Sequence, residues 1–262
     1  MFPKKSLGQN FLKNEEVADK IIAAANLTDK DIVVEIGPGT GILTERLVKE
    51  VKEVWAIEKD YDLVDKLRKR LSNKNLKLIH QDALIFDLSL LDSYKVVANI
   101  PYNITSPLIR KFIENEPKPE LMVLMVQKEV AERICAKPGS SERGLLTLIV
   151  EFYADAEVLL DVPRRDFYPQ PNVDSAVIKI NVKKKRIDAD EKMFFHIVKA
   201  GFSSKRRQIH NSLAATLRLD QNTVKEILDQ SGIGPMLRAE DLTLSQWEEL
   251  YKTIVKGKIL GI

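Results

Sequence analysis

Five short apolar runs that alternate with helical patterns constrain the fold of this 262-residue chain more than any other feature. The runs, in chain order, are IVVEIG, EVWAIEKD, LKLIHQDAL, KVVANI and ELMVLMVQ, and the helical patterns among them are ILTERLVKEV, YDLVDKLRKRL and SPLIRKFIEN. Such an alternation is typical of a parallel sheet whose two faces are covered by helices. The sequence therefore predicts an α/β protein.

The pattern changes in the last third of the chain. AEVLLDVP and SAVIKINVK predict two closing strands, and from about Asp188 only helical patterns follow, namely FFHIVKAGF, IHNSLAATL, VKEILDQ and LSQWEELYKTIV. We therefore predict an α/β domain over residues 1–187 and a small all-helical domain over residues 188–262.

Composition excludes several classes of protein. Hydrophobic residues make up 44% and charged residues 30%, as in water-soluble globular domains. No apolar run is long enough to cross a membrane, and MFPKKSLGQNF lacks the apolar stretch of a secretory signal, so we expect a cytoplasmic protein. Cys135 is the only cysteine, and His80, His196 and His210 lack metal-ligand spacing, so we expect no metal.

Positive charge is concentrated in one segment. From Lys179 to His210 there are ten lysines and arginines against three acidic residues, a net charge of +7 in a chain whose total is +3. Such clustering favours a polyanionic partner, although a solvated helix face is an alternative. Lys205, Arg206 and Arg207 precede the helical pattern IHNSLAATL and are the candidate residues for binding such a polyanion.

A glycine loop follows the first predicted strand. EIGPGTG contains Gly37, Gly39 and Gly41, which let the backbone turn sharply and approach a ligand closely. In the dinucleotide fingerprint, Gly-x-Gly-x-x-Gly, the third glycine would stand where this chain has Ile42. A third glycine one residue early suits a ligand without a pyrophosphate, such as S-adenosylmethionine.

Two carboxylates stand at the ends of the next predicted strands. Glu58 could accept hydrogen bonds from both ribose hydroxyls of a nucleoside, and Asp82 could accept one from the exocyclic amine of its adenine. Either could instead be an ordinary surface carboxylate. The glycine loop and the two carboxylates together resemble class I S-adenosylmethionine-dependent methyltransferases, which implies a Rossmann-like, mostly parallel sheet and S-adenosylmethionine as cofactor.

The fourth predicted strand ends in NIPYNITSP. Pro101 lacks a backbone donor, so the strand stops near Asn99, and a plain strand-ending turn is one reading. NIPY also resembles the Asn/Asp-Pro-Pro-Tyr signature of amino-methyltransferases, with Ile100 in place of the first proline. That resemblance implies that the Asn99 side chain and the Ile100 carbonyl accept hydrogen bonds from an adenine amine, while Pro101 stiffens the turn and Tyr102 stacks on the flipped base.

Two further motifs narrow the resemblance. KKSLGQNFL at residues 4–12 and FYPQPNVDS at residues 167–175 are similar to motifs of ribosomal RNA adenine dimethyltransferases. This similarity implies a set of cofactor-binding residues, namely Asn10, Leu12, Gly37, Gly39, Glu58, Asp82, Ala83 and Asn99. It also implies that Phe167 supplies a second aromatic face for the target adenine. From the residues alone, Phe167 could equally be a core residue, and Gln9 and Asn10 could be helix caps.

The RNA substrate divides this family into two branches. GFSSKRRQIHNSL resembles the enzymes that dimethylate two adjacent adenosines near the 3′ end of small-subunit rRNA, and the other branch is the large-subunit methyltransferases of the macrolide-resistance type. We therefore expect a monomer that acts on small-subunit rRNA within an immature 30S-type particle.

Other functional classes were weighed as alternatives. An assembly factor that acts mainly by binding RNA would not need the intact NIPY and glycine loop, a DNA adenine methyltransferase would need a target-recognition domain, and a small-molecule methyltransferase would not need the basic segment. The segment KPGSSERG at residues 137–144 reads either as a mobile rim over the target pocket or as a plain surface loop.

Overall fold

The structure is a computed structural model that describes residue 4, residues 7–183 and residues 187–257. Its strands are β1 (Phe11–Leu12), β2 (Ile32–Ile36), β3 (Glu53–Glu58), β4 (Leu76–His80), β5 (Lys95–Asn99), β6 (Leu121–Gln127), β7 (Ala154–Val162), β8 (Phe167–Tyr168) and β9 (Ser175–Val182). Its helices are α1 (Glu15–Ala24), α2 (Thr44–Glu50), α3 (Tyr61–Arg70), α4 (Thr105–Glu114), α5 (Lys128–Ile134), α6 (Leu145–Tyr153), α7 (Glu191–Gly201), α8 (Ile209–Leu217), α9 (Gln221–Gln230) and α10 (Leu244–Lys256). All seven predicted strands are present.

Seven strands form one twisted sheet in the order β4-β3-β2-β5-β6-β9-β7. The first five of these pair in parallel, whereas β9 runs antiparallel to both β6 and β7. The parallel strands are apolar runs because both faces of the sheet are buried. The fold class predicted from the sequence, a mostly parallel sheet covered by helices, is therefore confirmed.

The strand order places a crevice at the carboxyl ends of β2 and β5. These two strands are neighbours in the sheet, but β3 and β4 lie between them in the chain, on the other side of β2. Connections from β2 and β5 therefore leave in opposite directions, and ligands of open α/β sheets bind in the gap that results. The sheet itself thus positions the ends of β2, β3, β4 and β5 around one edge.

A second, two-stranded sheet joins distant parts of the chain. β1 pairs antiparallel with β8, so that Phe11 faces Tyr168 and Leu12 faces Phe167. The ribbon brings together the two sequence motifs at residues 4–12 and 167–175. Leu12 and Phe167 point into the hydrophobic core, which also contains residues of α1, α2 and the central strands.

The described residues fall into two compact units. One draws on Met1–Glu132 and Ala154–Lys183, and the other on Arg133–Tyr153 and Lys184–Ile262. The boundary after Lys183 lies close to the predicted one, but residues 133–153, which the sequence placed in the first domain, belong with the C-terminal helices. The catalytic and RNA-recognition roles of the two domains stay predictions.

The segment at residues 137–144 is anchored within the second unit. The guanidinium of Arg143 is buried and bonded to both carboxylate oxygens of Glu151, at 2.7 and 2.6 Å. Arg143 also donates to the Ala136 carbonyl at 3.0 Å, and the Gly139 amide donates to the Glu240 carbonyl at 2.9 Å. A buried charge needs such partners because removal from water is costly. Arg143 therefore has a structural role in its own unit.

Candidate active site

A cleft opens at the carboxyl ends of β2, β3, β4 and β5. It is lined by residues 7–12, 35–40, 42–43, 57–59, 63, 81–83 and 99–104. These segments comprise the N-terminal motif, the glycine loop, the ends of β3, β4 and β5, and the turn that follows β5. Every residue that the sequence assigned to cofactor binding lies along this cleft.

The glycine loop turns through conformations that favour glycine. Gly37 and Gly39 have φ angles of 65° and 57°, in the left-handed region. A side chain on Gly39 would place its Cβ 2.9 Å from the ring of Phe11, which lies against the loop. The Gly39 amide donates to Glu58 Oε2 at 3.3 Å. The loop is thus held close to both the N-terminal motif and the end of β3.

Glu58, the last residue of β3, is buried beside the cleft. Its Oε1 accepts a hydrogen bond from the Asp60 amide at 2.8 Å, and its Oε2 accepts the bond from Gly39. Burial raises the pKa of this carboxyl above its usual range, against the lowering effect of the two amides. Each carboxylate oxygen has a second lone pair, so Glu58 can still accept hydrogen bonds from a ligand.

Asp82 lies two residues beyond the end of β4, the strand whose last residue, His80, pairs with Glu58. Its Oδ1 accepts from the Leu84 amide at 2.9 Å, and its Oδ2 bonds with Lys59 Nζ at 2.8 Å. The bond with Lys59 is the largest cause that lowers the pKa of Asp82. The carboxylate is therefore a fixed acceptor, and the next residue, Ala83, is buried in the cleft wall.

The side-chain amide of Asn99 is oriented by the N-terminal motif. Its Nδ2 donates to the backbone carbonyl of Asn10 at 3.1 Å. That bond uses the donor end of the amide, and Oδ1 makes no hydrogen bond with the described residues. The Ile100 amide donates to the Met125 carbonyl at 3.1 Å, which continues the pairing of β5 with β6 by one residue. Pro101, which has no amide hydrogen, then ends it.

Tyr102 is held by a residue that sequence reasoning missed. Its hydroxyl bonds with Ser175 Oγ at 2.7 Å, and Ser175 is completely buried at the start of β9. Burial raises the pKa of Tyr102, so the hydroxyl is protonated at neutral pH. Ser175 ends the motif FYPQPNVDS, but that position does not identify Tyr102 as its partner.

Phe167 is not brought to the cleft. Its side chain is 1% exposed and packs in the core with Leu12 and Val162, and it is not among the cleft-lining residues. Its neighbour in β8, Tyr168, is 58% exposed instead. Successive side chains of a strand point to opposite faces, which places one of the two inside. The structure thus packs Phe167 in the core, and its role as a second aromatic face for the target adenine stays a prediction.

The predicted cofactor contacts of the N-terminal motif come from an extended segment. Asn10 and Leu12 line the cleft, and Leu12 also packs in the core. The alternative reading of Gln9 and Asn10 as helix caps is wrong, because the N-cap of α1 is Asn14, whose side chain accepts from the Val17 amide at 3.2 Å.

Glu35 is a second cleft residue that the sequence reasoning did not select. It is 1% exposed within β2, and its Oε2 accepts from the Thr44 hydroxyl at 2.7 Å. Burial raises the pKa of Glu35 to about 8, with the charge of Glu58 acting in the same direction. A carboxylate inside the apolar run IVVEI was the available signal.

The candidate RNA-binding residues lie in the second unit. Lys205, Arg206 and Arg207 are exposed in the turn between α7 and α8. None of them forms an ion pair with any residue in the described ranges. Three unpaired cations in one turn are available for an external anion.

The family of the chain follows from its sequence. A sequence model for ribosomal RNA adenine dimethylases matches residues 3–256. The chain belongs to this family. A curated ribosomal RNA small subunit methyltransferase A from Fusobacterium nucleatum is 48% identical to it over 262 residues, which cover 97% of this chain and 98% of the relative. A protein of the same name from Dehalococcoides mccartyi strain BAV1 is 43% identical over 254 residues, or 94% of this chain and 87% of the relative.

Solved structures of rRNA adenine dimethylase relatives share the fold. A dimethyladenosine transferase from Plasmodium falciparum has a TM-score of 0.84 at 30% identity, covering 96% of this chain and 98% of that one. The 23S rRNA methyltransferase ErmE has a TM-score of 0.77 at 26% identity, covering 94% and 99%. The chain therefore has the class I methyltransferase fold that its sequence predicted.

The described residues hold neither a metal-binding cluster nor a membrane-spanning helix. They contain no group of three or more His, Cys, Asp or Glu side chains arranged to hold a metal ion. No helix in the described ranges combines the length and apolar composition required to cross a bilayer. The cleft in the first unit, which is lined by all the residues that the sequence assigned to cofactor binding, is the candidate active site of this member of the rRNA adenine dimethylase family.

Proposed function

We propose that this protein uses S-adenosylmethionine to dimethylate the N6 amines of two adjacent adenosines near the 3′ end of small-subunit rRNA. The observation that carries the proposal is the orientation of Asn99 at the end of β5. Its amide nitrogen is bonded to the Asn10 carbonyl, which leaves Oδ1 as an acceptor in the cleft. An oriented amide acceptor in such a cleft suits an adenine amine.

The cleft residues fit S-adenosylmethionine. Glu58 and Asp82 stand at the ends of adjacent strands, each with remaining acceptor capacity, as the ribose hydroxyls and the adenine amine of such a ligand require. The absence of a side chain at Gly37 and Gly39 keeps the loop open to close approach. When bound, S-adenosylmethionine supplies an electrophilic methyl group on a sulfonium.

The chain's own residues would activate the target amine by orienting it. An adenine N6 amine is a poor nucleophile because its lone pair is delocalised into the ring. Asn99 Oδ1 and the Ile100 carbonyl, which accepts no backbone hydrogen bond from the described residues, can draw the two amine hydrogens out of the ring plane. The lone pair then points toward the methyl donor, and positioning of this kind can account for much of a rate enhancement.

Tyr102 would hold the flipped base. Its ring is fixed at one end by the bond with Ser175, so little side-chain freedom is lost when a base stacks on it. Stacking between an aromatic side chain and an extruded base is the usual way in which such enzymes hold their target. The methylated nitrogen carries a positive charge and loses its proton readily, so no strong general base is required.

Small-subunit rRNA is the proposed substrate because of two features of the sequence. The relatives at 48% and 43% identity carry the name of a small-subunit enzyme, whereas ErmE, a 23S rRNA methyltransferase, is 26% identical. The segment GFSSKRRQIHNSL also resembles the small-subunit branch. We further propose that residues 188–262 recognise RNA, that the substrate is an immature 30S-type particle, and that the protein acts as a cytoplasmic monomer.

One assay with three substrates tests this proposal. Tritiated methyl transfer from S-adenosylmethionine is measured with undermodified 30S subunits, 50S subunits and duplex DNA in parallel. The proposal predicts transfer to 30S subunits alone. Transfer to 50S subunits alone would assign the protein to the large-subunit branch. Binding to 30S subunits without transfer would leave an RNA-binding assembly factor.

A further inference from the structure

Asp60 is a buried carboxylate at the end of the run EVWAIEKD, and the sequence analysis assigned it no role. It lies two residues beyond β3, its side chain is 2% exposed, and it begins α3 as the N-cap. Its Oδ1 accepts from the Asp62 amide at 3.1 Å, which is an ordinary capping bond. The other contacts of this carboxylate go to the N-terminal motif, more than fifty residues earlier in the chain.

Two side chains of the N-terminal motif converge on Asp60. Lys4 Nζ bonds with Oδ1 at 2.6 Å, and Gln9 Nε2 donates to Oδ2 at 2.8 Å. The backbone amide of Lys4 donates to Gln9 Oε1 at 2.7 Å, so Lys4 and Gln9 also hold each other. Burial raises the pKa of Asp60, but the bonds from Lys4 and Gln9 outweigh that effect and the pKa is lowered. The carboxylate is therefore ionised when it holds the segment.

The same segment is fixed at its other end. The Asn10 carbonyl accepts the bond from Asn99, and Phe11 and Leu12 pair with β8. Between these attachments, residues 7–12 form one wall of the cleft. Without the contacts to Asp60, the segment before Asn10 would keep its attachment at the far end and, at Lys4, only the ion pair with the exposed Asp62 at 2.8 Å.

Asp60 also contacts the proposed ribose-binding carboxylate. Its backbone amide donates to Glu58 Oε1 at 2.8 Å, and the other oxygen of Glu58 accepts from Gly39. One residue thus connects the N-terminal wall of the cleft, the end of β3 and the start of α3. Movement at Asp60 would change both the wall and the direction of the Glu58 carboxylate.

We propose that Asp60 is a positioning residue for the cofactor. Through its bonds with Lys4 and Gln9, Asp60 holds the N-terminal wall of the cleft in place. The inference rests on the proposed cofactor. It assigns to Asp60 no contact with the methyl donor or with the target amine. Loss of the carboxylate should therefore raise the Kd and KM for S-adenosylmethionine more than it lowers kcat.

The test uses Asp60→Asn, because asparagine is as good an N-cap as aspartate and leaves α3 intact. Its oxygen, which keeps the cap on the Asp62 amide, can still accept from Lys4 but carries no charge, and its amide nitrogen takes the place of Oδ2 and faces the donor of Gln9. Calorimetry should show S-adenosylmethionine binding weakened by roughly tenfold, the value of a charged hydrogen-bonded contact. Hydrogen exchange of the backbone amides of residues 7–12 should become faster. The melting temperature should stay within about 2 °C of that of the unaltered protein, because the variant retains the N-cap of α3.

Two further variants sharpen the result. Lys4→Met, which also removes the ion pair with Asp62, should weaken binding in the same direction. Its effect and that of Asp60→Asn should be less than additive in the double variant, because both changes act on the Lys4–Asp60 contact. Asp65→Asn is the matched control, since Asp65 lies on the same helix and pairs with Lys69. It should leave affinity and exchange unchanged.

Two outcomes would overturn the assignment. In the first, Asp60→Asn binds S-adenosylmethionine as tightly as the unaltered protein. In the second, affinity falls but the exchange of residues 7–12 does not change, so that the N-terminal wall is not involved. Failure of the unaltered protein to bind S-adenosylmethionine would instead refute the proposed cofactor, which separates the two hypotheses.

Discussion

At the scale of single residues, the hydroxyl of Tyr102 determines the expected effect of replacing Tyr102 with phenylalanine. If only the ring stacks on the base, phenylalanine would replace tyrosine without loss. The bond with Ser175 fixes the ring, however, and a neutral hydrogen bond contributes about 1 kcal/mol, or roughly fivefold. The hydroxyl is thus expected to contribute to positioning and the ring to binding the base.

We predict similar, modest losses of turnover for Tyr102→Phe and Ser175→Ala, about fivefold each, because each removes the same hydrogen bond. Tyr102→Ala, which removes the ring, should lose far more. The measurement is single-turnover methyl transfer to 30S subunits at saturating S-adenosylmethionine. A Tyr102→Phe variant as inactive as Tyr102→Ala would show that the hydroxyl has a chemical role and that stacking is secondary.

Glu35 should make the stability of the protein depend on pH. Its pKa of about 8 in the folded state lies above the ordinary value of 4.5, so between these values the folded state binds a proton that the unfolded state has lost. Stability from this group is therefore full below about pH 4.5 and falls as the pH rises toward 8. The loss is complete above that pH.

Glu35→Gln removes this dependence while keeping an acceptor for the Thr44 hydroxyl. We predict that the variant gains stability relative to the unaltered protein as the pH is raised from 5 to 9, measured by thermal melts across the range. Glu50→Gln, at an exposed position of α2, is the control and should show no such trend. Parallel pH profiles for Glu35→Gln and the unaltered protein would contradict the prediction.

Single residues were predictable from the sequence where strand ends fix their position. Glu58, Asp82 and Asn99 each follow an apolar run, and parallel strands bring those ends to one edge. Ser175 and Asp60 were not predictable, because their partners lie 73 residues away for Ser175 and 56 and 51 away for Asp60. Local pattern contains no information about such pairs.

At the scale of elements, the β1–β8 ribbon could not be predicted from the pattern of apolar and polar residues. Each strand has two residues, too few for any alternation to be recognised. Which of Phe167 and Tyr168 points inward depends on register, and a shift of one residue would exchange them. The sequence showed two adjacent aromatic residues but not which one is buried.

The register of β1 with β8 predicts that substitutions at Phe167 and at Tyr168 will differ in their effect on stability. Phe167→Ala should destabilise the protein by about 3 to 5 kcal/mol, as for other buried aromatic residues, and Tyr168→Ala by less than about 0.5 kcal/mol. Phe167→Leu should recover most of that stability and keep methyl transfer, because packing is the role that the structure gives Phe167. Denaturant unfolding and the transfer assay test both points. A stable but inactive Phe167→Leu variant would restore Phe167 as a stacking residue.

Helices differed in how well the sequence revealed them. α3 and α4 were predicted because each has an apolar stripe at helical spacing. α6 was missed because LLTLIVEFY is apolar on nearly every side, and six of its nine residues are buried. α1 and α5 were also missed. An all-round apolar segment cannot be distinguished from a buried strand by periodicity alone.

At the scale of the whole molecule, the two compact units separate the proposed chemistry from the proposed RNA contacts. The cleft lies in the first unit, and Lys205, Arg206 and Arg207 lie in the second. The sequence placed the end of the sheet near residue 187 because its strand patterns stop there. It placed residues 133–153 in the first domain instead of with the C-terminal helices, because element type does not identify packing partners.

Replacing Lys205, Arg206 and Arg207 together with Gln tests the role of the exposed turn. Affinity for 30S particles should fall, and the log-log salt slope should flatten by about 0.7 to 0.9 for each lost phosphate contact. Cofactor binding and the melting temperature should hardly change, because these side chains form no ion pairs within the described ranges.

A charge-matched control uses three exposed cations of α3, namely Lys66, Arg68 and Lys69, also replaced by Gln. It should leave the salt slope unchanged. If the 205–207 variant keeps the original slope but melts early, the turn is structural. Equal slopes in the two variants would mean that net charge, rather than this turn, determines RNA binding.

The most direct test of the account identifies the product. Undermodified 30S subunits are treated with the protein and S-adenosylmethionine, and the nucleosides and fragments of the rRNA are analysed by mass spectrometry. We predict two adjacent N6,N6-dimethyladenosines near the 3′ end, and almost none with Asn99→Ala, which keeps the cleft but loses the oriented acceptor. Methylation at another atom or in another RNA, or full activity of Asn99→Ala, would contradict the account.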